Sequence, residues 1–181
     1  MEFQKMEIPD VMLVKPKVFG DARGYFFESW EARKFAAAGL DIRFVQDNYS
    51  RSLQGTLRGL HYQLQQPQGK LVRVTLGEVY DVAVDIRRSS PTFGRYVATI
   101  LSADNKHQLW IPPGFAHGFY VLSEAAEFFY KCSDFYAPQH ERTLRWDDPQ
   151  IAIPWPLGNV APLLSPKDQQ GKRLTEAECF P

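Results

Sequence analysis

The sequence Pro112-Pro113-Gly114-Phe115-Ala116-His117-Gly118-Phe119 is the most informative segment of the chain. It begins with turn chemistry, because proline presets its own backbone angle and glycine accepts conformations that other residues avoid. His117 follows three residues after Gly114, within an apolar run that continues through residues 119–122. We interpret the segment as a turn that delivers a histidine into a small β-structure.

Segments with strand-forming composition recur along most of the chain. Apolar and β-branched residues stand in short runs bounded by turn residues, which is typical of strands. Eight strands in series indicate a barrel or jelly roll. Leu76-Gly77-Glu78 is expected to join residues 71–75 and 79–85 as an antiparallel hairpin. The predicted strands are residues 44–49, 57–63, 71–76, 79–86, 96–101, 108–111, 119–122 and 126–133.

The N-terminal part is predicted to contain a hairpin and one short helix. Residues 11–19 and 24–30 have β-forming composition, and the run between them has turn chemistry at both ends. The helix is expected to follow, with Ser29 as its N-cap and Gly39 at its end.

The whole composition fits one globular domain spanning residues 1–181, whose tail, residues 138–181, we interpret as loops and a short helix on the barrel. Lys plus Arg and Asp plus Glu both number 21, so the formal net charge is zero. The chain therefore has no overall positive charge that would attract nucleic acid or an anionic membrane as a partner. The sequence shows no signal-peptide core and no apolar run of membrane-spanning length. The cytoplasm is therefore the expected location.

The segment of residues 57–63 carries a second histidine, His61, and the basic residue Arg58. These two lie an odd number of residues apart, so a regular strand would send their side chains to opposite faces. If both line one pocket, a bulge or bend near Gly59 is required. Taken alone, a single histidine in a strand is a structural or exposed imidazole.

The two histidine segments together resemble the cupin superfamily, whose second motif is a Pro-x-Gly-x-x-His turn. Metal-binding cupins supply His-x-His and a Glu from the first motif, because a divalent ion needs several converging ligands. The corresponding residues here are His61-Tyr62-Gln63, and only His107 and His140 remain in the chain. Cys132 and Cys179 lie far apart without a CxxC pattern. We therefore expect no metal site, and a metal-dependent oxygenase is the less favoured alternative.

Further motifs resemble one cupin family, the dTDP-4-dehydrorhamnose 3,5-epimerases. The resemblance covers nearly the whole chain, and the joint order and spacing of its motifs make it specific. It implies an all-β fold, a cupin-type jelly-roll barrel with short peripheral helices. The motifs are residues 18–24, 44–50, 57–63, 68–74, 111–119, 127–131 and 164–168.

This resemblance implies epimerisation of dTDP-4-dehydro-6-deoxy-D-glucose at C3 and C5, a step in dTDP-L-rhamnose biosynthesis. Both carbons flank the C4 ketone, so loss of a proton gives an enolate, and its return to the opposite face inverts the centre. Such chemistry needs no nicotinamide, and the chain contains no G-x-G-x-x-G run. We expect an isomerase that uses neither cofactor nor metal.

The resemblance also assigns four catalytic residues. His61 is the expected general base, and Asp168 is its partner, which holds the tautomer of the imidazole. Lys70 is expected near the C4 oxygen, where a cation stabilises enolate charge. Tyr130 is the expected acid on the opposite face. Taken alone, Lys70 would be a solvated lysine and Tyr130 a core aromatic.

The nucleotide end of the substrate needs polar and cationic residues, since a diphosphate favours charge-assisted hydrogen bonds from Arg and Lys. For His117 a structural role is the alternative to substrate binding. Phe19 and Phe26 are candidates either for stacking on thymine or for packing. The substrate-binding residues implied by the family are Arg23, Glu28, Gln46, Asp47, Asn48, Arg58, Lys70, His117, Glu141 and Lys167.

The family further implies a homodimer in which the N-terminal strands, within residues 1–30, exchange between subunits, so that Arg23 and Glu28 serve the partner's site. Two other enzymes are alternatives on the same fold: a relative that epimerises one carbon, and a 3,4-ketoisomerase. A cupin that binds sugar nucleotides without catalysis is a third alternative. It could lose His61, Asp168 or Tyr130, all of which are present here.

Overall fold

The computed structural model describes every residue from Met1 to Pro181. Its two helices are α1 (Ala32–Ala37) and α2 (Pro166–Gln169), and a 3-10 turn spans Pro138–His140. Neither helix has the length and apolar character needed to cross a lipid bilayer. The strands are β1 (Glu2–Lys5), β2 (Met12–Lys15), β3 (Val18–Asp21), β4 (Gly24–Phe27), β5 (Gln46–Leu53), β6 (Leu57–Gln63), β7 (Lys70–Leu76), β8 (Glu78–Asp85), β9 (Tyr96–Ser102), β10 (Gln108–Ile111), β11 (Phe115–Val121), β12 (Ala125–Cys132) and β13 (Glu141–Thr143).

Two antiparallel sheets face each other and enclose the main apolar core. One has six strands in the order β1-β2-β10-β7-β12-β5, and the other has five in the order β13-β6-β11-β8-β9. The core cluster of 16 buried residues draws Val72 and Phe128 from the first sheet and Val79 and Phe119 from the second. The predicted all-β jelly roll with short peripheral helices is confirmed.

β11 is buried along its whole length because both faces of its sheet are covered. Side chains alternate across a strand, and Phe115 and Phe119 pack into the core between the sheets. Ala116 and Tyr120 pack on the other side, in a second cluster. His117 shares the alternation of Phe115 and therefore lies on the inner face of the sheet.

The C-terminal tail covers the outer face of the five-stranded sheet. Leu144, Trp155 and Leu174 from the tail are buried in one cluster with Leu60 and Val84 from the sheet. β13 extends this sheet by pairing with β6, and the sequence patterns did not predict that strand. The tail also contains the expected short helix, α2.

The predicted hairpin between residues 71–75 and 79–85 is wrong. β7 pairs with β10 and β12, whereas β8 pairs with β9 and β11, so the chain passes from one sheet to the other at this turn. Gly77 has φ +75°, and a Cβ atom there would lie 2.0 Å from the carbonyl oxygen of Ala125. The turn signal was correct, but turn residues do not specify which sheet the next strand joins.

The N-terminal hairpin is confirmed as β3 and β4, whose register pairs Val18 with Phe27. Residues 12–15, which the prediction merged with β3, form a separate strand of the six-stranded sheet. Pro16 stands between the two strands, and a proline cannot donate a ladder hydrogen bond.

The predicted N-cap of α1 is wrong by two residues. Glu31 is the cap, and its carboxylate accepts hydrogen bonds from the backbone N–H groups of Arg33 and Lys34. The backbone carbonyl of Ser29 instead accepts a hydrogen bond from the side-chain amide of Gln108. A serine near a helix start indicates a cap, but which nearby side chain reaches the free N–H groups depends on the chain path before the helix.

The predicted irregularity in β6 is confirmed as a bulge. Between Arg58 and His61, β6 contains one residue more than the part of β11 that pairs with it. Gly59 has φ +126°, and a Cβ atom there would lie 2.6 Å from Cα of Gly118, so the close approach of the strands requires glycine. Because of the extra residue, Arg58 and His61 both reach the same cavity.

Candidate active site

A cavity of about 350 Å³ opens between the two sheets. Its walls come from the inner faces of β5, β6, β7, β11 and β12 and from the tail that follows β12. Residues that are remote in sequence therefore meet in one place. The predicted site residues that line it are Gln46, Asn48, Arg58, His61, Lys70, His117, Tyr130, Glu141 and Lys167.

His61 and Asp168 form a hydrogen-bonded pair at the cavity wall. Nε2 of His61 lies 2.6 Å from Oδ1 of Asp168. The same oxygen accepts a hydrogen bond of 3.2 Å from the backbone N–H of Gly59, and Oδ2 accepts one of 2.6 Å from the hydroxyl of Ser165. Asp168 is only 3% exposed, whereas the side chain of His61 is 24% exposed. The carboxylate is thus held behind the imidazole, which faces the cavity.

The environment sets the charge of both members of this pair. Burial lowers the pKa of His61 below its ordinary value, although the hydrogen bond that the imidazole donates to Asp168 opposes the shift. Burial alone would raise the pKa of Asp168, but the bonds from His61, Ser165 and Gly59 outweigh it and lower that pKa to about 2. A neutral imidazole beside an ionised carboxylate is the form in which histidine acts as a base.

A second histidine–carboxylate pair lies on the same side of the cavity. Nε2 of His117 is 3.0 Å from each carboxylate oxygen of Asp81. Both residues are buried, and they stand on the adjacent strands β11 and β8. The partner of His117 was not predicted, although Asp81 stands in an apolar run where an acid is unexpected, and such a buried acid needs a partner.

Lys70 and Tyr130 reach the cavity from the opposite sheet, on β7 and β12. Neither the ammonium group nor the phenol has a hydrogen-bond partner within the chain. Burial lowers the pKa of Lys70, and it raises the pKa of Tyr130 to about 12, which keeps the phenol protonated at neutral pH. The cavity therefore has imidazoles on one wall and an amine and a phenol on the other.

Cations and amides surround these groups. Arg58 donates from Nε to the hydroxyl of the buried Ser52 at 2.8 Å, which leaves its terminal NH₂ groups for a ligand. Lys167 pairs with Glu141 at 2.7 Å. The burial of Glu141 would raise its carboxyl pKa, but the bonds with Lys167 and with the hydroxyl of Tyr136 produce a net lowering. These groups suit an anionic, polar ligand.

Gln63 stands where metal-binding cupins have their second histidine, and here it holds a loop. Its side-chain amide donates to the carbonyls of Gln66 and Phe135 and accepts from the backbone N–H of Ala137. No group of three or more His, Cys, Asp or Glu side chains converges to hold a metal ion.

Three predicted binding residues do not line this cavity. Asp47 pairs with Lys131 at 3.0 Å on the exposed side of β5. Arg23 pairs with Asp21 at the tip of the N-terminal hairpin, and Glu28 pairs with Lys34 at 2.6 Å. Their roles in binding stay predictions.

Tyr136 is a cavity residue that the sequence patterns did not indicate. It lies at the mouth, 53% exposed, with its hydroxyl 3.0 Å from Glu141 and its backbone N–H bonded to Gln46. An aromatic side chain next to a proline-rich loop carries no sequence signal of its own. The exposed ring nevertheless offers a flat surface to a ligand.

A sequence profile described as dTDP-4-dehydrorhamnose 3,5-epimerase matches residues 5–176. The chain belongs to this family. Membership makes it a carbohydrate epimerase, of the isomerase class, and the family inferred from the sequence motifs is confirmed. A dTDP-4-dehydrorhamnose 3,5-epimerase of Pseudomonas aeruginosa is 63% identical over 182 aligned residues, which cover 100% of both chains.

Solved structures of similar proteins include enzymes with bound dTDP-sugars. A dTDP-6-deoxy-D-glucose-3,5-epimerase from Legionella pneumophila, in complex with dTDP-4-keto-L-rhamnose, is 54% identical with a TM-score of 0.95, over 98% of this chain and 94% of that chain. A 3′-monoepimerase from Streptomyces bikiniensis, in complex with dTDP-quinovose, is 32% identical with a TM-score of 0.89, over 95% of this chain and 87% of that chain. The family fold therefore accommodates both double and single epimerases.

Proposed function

We propose that the chain converts dTDP-4-dehydro-6-deoxy-D-glucose to dTDP-4-dehydro-L-rhamnose by inverting C3 and C5, in dTDP-L-rhamnose biosynthesis. One observation carries the proposal: a histidine base with a buried carboxylate partner stands on one sheet, and a protonated phenol stands on the opposite sheet. Inversion requires a proton to leave one face of a carbon and return to the other. The full-length identity of 63% to an epimerase of this name supports the substrate.

His61 removes the proton in this mechanism. Its Nε2 is bound to Asp168, so Nδ1 is the ring nitrogen left to accept the proton from C3 or C5. The ionised Asp168 stabilises the imidazolium that forms, and its fixed position sets the orientation of the ring. The C–H electron pair becomes the C=C bond of the enolate, and the negative charge moves to the oxygen on C4.

Lys70 stabilises this oxygen, and Tyr130 completes the inversion. The Lys70 ammonium has no partner in the chain and is therefore free to bind the enolate oxygen. This charge interaction stabilises the enolate more in a partly desolvated cavity than it would in water. Tyr130 donates its phenolic proton to the opposite face of the carbon, and the C4 ketone re-forms. Solvent then returns a proton to Tyr130 and takes one from His61, so the step is balanced without an oxidant.

The nucleotide end is proposed to bind towards the cavity mouth. Arg58 and Lys167 offer charge to the diphosphate, and His117 contacts the sugar or the diphosphate. The exposed ring of Tyr136 suits stacking on a nucleobase. Gln46, Asn48 and Glu141 provide hydrogen bonds to the sugars and the base or orient the cations.

A homodimer is also part of the proposal, with the N-terminal strands of each subunit serving the partner's site. The hairpin of β3 and β4 pairs with no other strand, and it exposes the aromatic residues Phe19, Tyr25 and Phe26 at 54%, 62% and 69%. Apolar surface of this kind marks interaction sites. Arg23 lies on the same hairpin, and Glu28 follows it directly, so docking of the hairpin on a partner would bring both to a second cavity. Residues 1–181 are proposed to form one domain, and the cytoplasm is the proposed location.

Proton NMR with dTDP-4-keto-6-deoxyglucose in heavy water, without added metal or nicotinamide, tests this function. Deuterium at both C3 and C5, with L-rhamnose recovered after trapping by a reductase, is the expected result. Binding of the nucleotide without any exchange would refute the proposal and favour the noncatalytic alternative.

Single epimerisation is the second candidate, because the Streptomyces bikiniensis 3′-monoepimerase shares this fold at a TM-score of 0.89. Exchange at C3 alone would establish it. The full-length identity of 63% to a 3,5-epimerase, against 32% to this monoepimerase, favours inversion at both carbons.

A further inference from the structure

We infer that Ser165 is a positioning residue for the general base, because its hydroxyl fixes the Asp168 carboxylate that orients His61. This inference rests on the proposed function. Ser165 itself does not line the cavity, so it acts through Asp168 rather than on the substrate.

The hydroxyl of Ser165 makes two contacts with the same residue. Its Oγ accepts a hydrogen bond of 3.2 Å from the backbone N–H of Asp168, which is the usual contact of an N-cap with the third residue of a helix. The same hydroxyl donates to Oδ2 of Asp168 at 2.6 Å. One side chain thus caps α2 and holds the carboxylate of its third residue.

This arrangement differs from the common capping box, in which the third helical residue is Glu or Gln and reaches back to the N–H of the cap. Asp168 has a shorter side chain, and its carboxylate bonds the hydroxyl of Ser165 and the imidazole of His61 rather than the N–H of the cap. The hydroxyl of Ser165 donates to Oδ2, the oxygen that does not contact His61. The helix start is therefore arranged around the catalytic pair rather than only around its own backbone.

Removal of the hydroxyl would leave Oδ2 without a partner. The other oxygen, Oδ1, receives the bonds of 2.6 Å from His61 and 3.2 Å from Gly59. A carboxylate held through one oxygen is free to turn about its Cβ–Cγ bond, and a residue that is 3% exposed has little access to water as a substitute. The ring of His61 would then lose its fixed orientation.

The test compares three substitutions at this position. Ser165→Ala removes both the cap and the donor. Ser165→Gly removes the donor but retains most of the cap, since glycine at an N-cap costs only a few tenths of a kcal/mol. Ser165→Thr retains both. Glu31→Ala, which removes the cap of α1 far from the cavity, controls for the loss of a helix cap in general.

Steady-state kinetics and thermal unfolding are measured on all four variants. The expected result is a fall in kcat of about 10- to 100-fold for both Ser165→Ala and Ser165→Gly, with KM unchanged and exchange slowed at both carbons. Ser165→Thr and Glu31→Ala should retain the wild-type kcat. Wild-type kcat in the glycine variant, or activity that falls only in proportion to stability, would overturn the inference.

A double-mutant cycle locates the effect. In an Asp168→Asn background, Ser165→Ala should lower kcat no further, because residues that act through one another are not additive. A full additional loss would show that Ser165 acts by another route.

NMR titration of the His61 imidazole in the ligand-free protein separates this inference from the proposed function. Ser165→Gly should change the His61 titration midpoint, while Ser165→Thr should titrate as the wild type does. An unchanged midpoint in the glycine variant would refute the positioning role. Absence of exchange in the wild type, with the midpoint changed in the glycine variant, would instead refute the proposed function alone.

Discussion

Two histidine–carboxylate pairs contact the same cavity from one sheet, and they differ in how they are built. His61 and His117 are direct neighbours across β6 and β11. The carboxylate of the first pair, Asp168, comes from α2 in the C-terminal tail, 107 residues away. The carboxylate of the second, Asp81, comes from the adjacent strand of the barrel itself.

The bonding and exposure of the pairs differ as well. His61 binds one carboxylate oxygen at 2.6 Å, and its side chain is 24% exposed. His117 binds both oxygens of Asp81 at 3.0 Å, and its side chain is 8% exposed. An accessible imidazole with one nitrogen bound can receive a proton, whereas a buried one bound to both oxygens is fixed in place. The first pair is therefore suited to proton transfer, and the second to orientation and binding.

The largest expected effect is that of His61→Ala. Removal of the general base should slow exchange at both C3 and C5 by about 10³- to 10⁴-fold while the fold is retained. Exchange is measured by proton NMR in heavy water, and the fold by circular dichroism. Turnover near the wild-type rate would show that the base is elsewhere.

Asp168→Asn should lower kcat/KM by about 10²-fold. It should also change how kcat/KM depends on pH. Burial lowers the pKa of His61 below its ordinary value of 6.5, and Asp168 partly offsets this shift. Because the substitution removes the offset, the pKa of His61 should fall further. The acidic limb of the kcat/KM profile should therefore move to lower pH. A limb that stays in place would separate Asp168 from the base.

His117→Ala should have a smaller effect, and mainly on binding. Loss of one polar contact with the substrate is expected to raise KM by about 10-fold, which corresponds to about 1.4 kcal/mol. The fall in kcat should be well below that of His61→Ala. Steady-state kinetics and titration of dTDP binding by calorimetry check this. Equal losses of kcat in the two variants would remove the functional distinction between the pairs.

The smallest expected effect concerns acid stability. The pKa of Asp168 is about 2 in the folded chain against an ordinary 3.8, so its ionisation stabilises the fold above pH 3.8 and this contribution is lost as the pH falls towards 2. Asp168→Asn should therefore show a weaker decline in unfolding free energy over this range than the wild type. Urea unfolding at several pH values measures it. Parallel curves would contradict the lowered pKa.

Strand bounds, the bulge and the turn could be predicted from the sequence, because they depend on residues that are near neighbours along the chain. The strands at residues 57–63 and 108–111 have the predicted bounds, and the spacing of Arg58 and His61 predicted the bulge at Gly59. A face that must be buried imposes alternation on its strand, and an odd separation breaks that alternation visibly. The turn at Gly77 was also predicted from a local signal, the glycine between two strand-forming segments.

Features that depend on the path of the whole chain were not readable. Gly77 marks a turn whether the next strand pairs with the last or joins the other sheet, so the hairpin prediction was wrong. The pairing of Asp81 with His117 was not predicted, because the two residues stand 36 positions apart in the sequence. The contact of Ser165 with Asp168 is local, yet its relevance to the base appears only when α2 lies against β6.

The sequence by itself determined the strand-rich composition, the turn residues, the family and the residue types that its chemistry needs. Those follow from side-chain volume, backbone freedom and motif spacing, all of which are properties of short segments. Only the tertiary structure decided which sheet each strand joins, which carboxylate serves each histidine, and that the base and the phenol stand on opposing walls. The physical reason is that these contacts join residues distant in sequence, and they are selected by burying the apolar faces of all the strands at once.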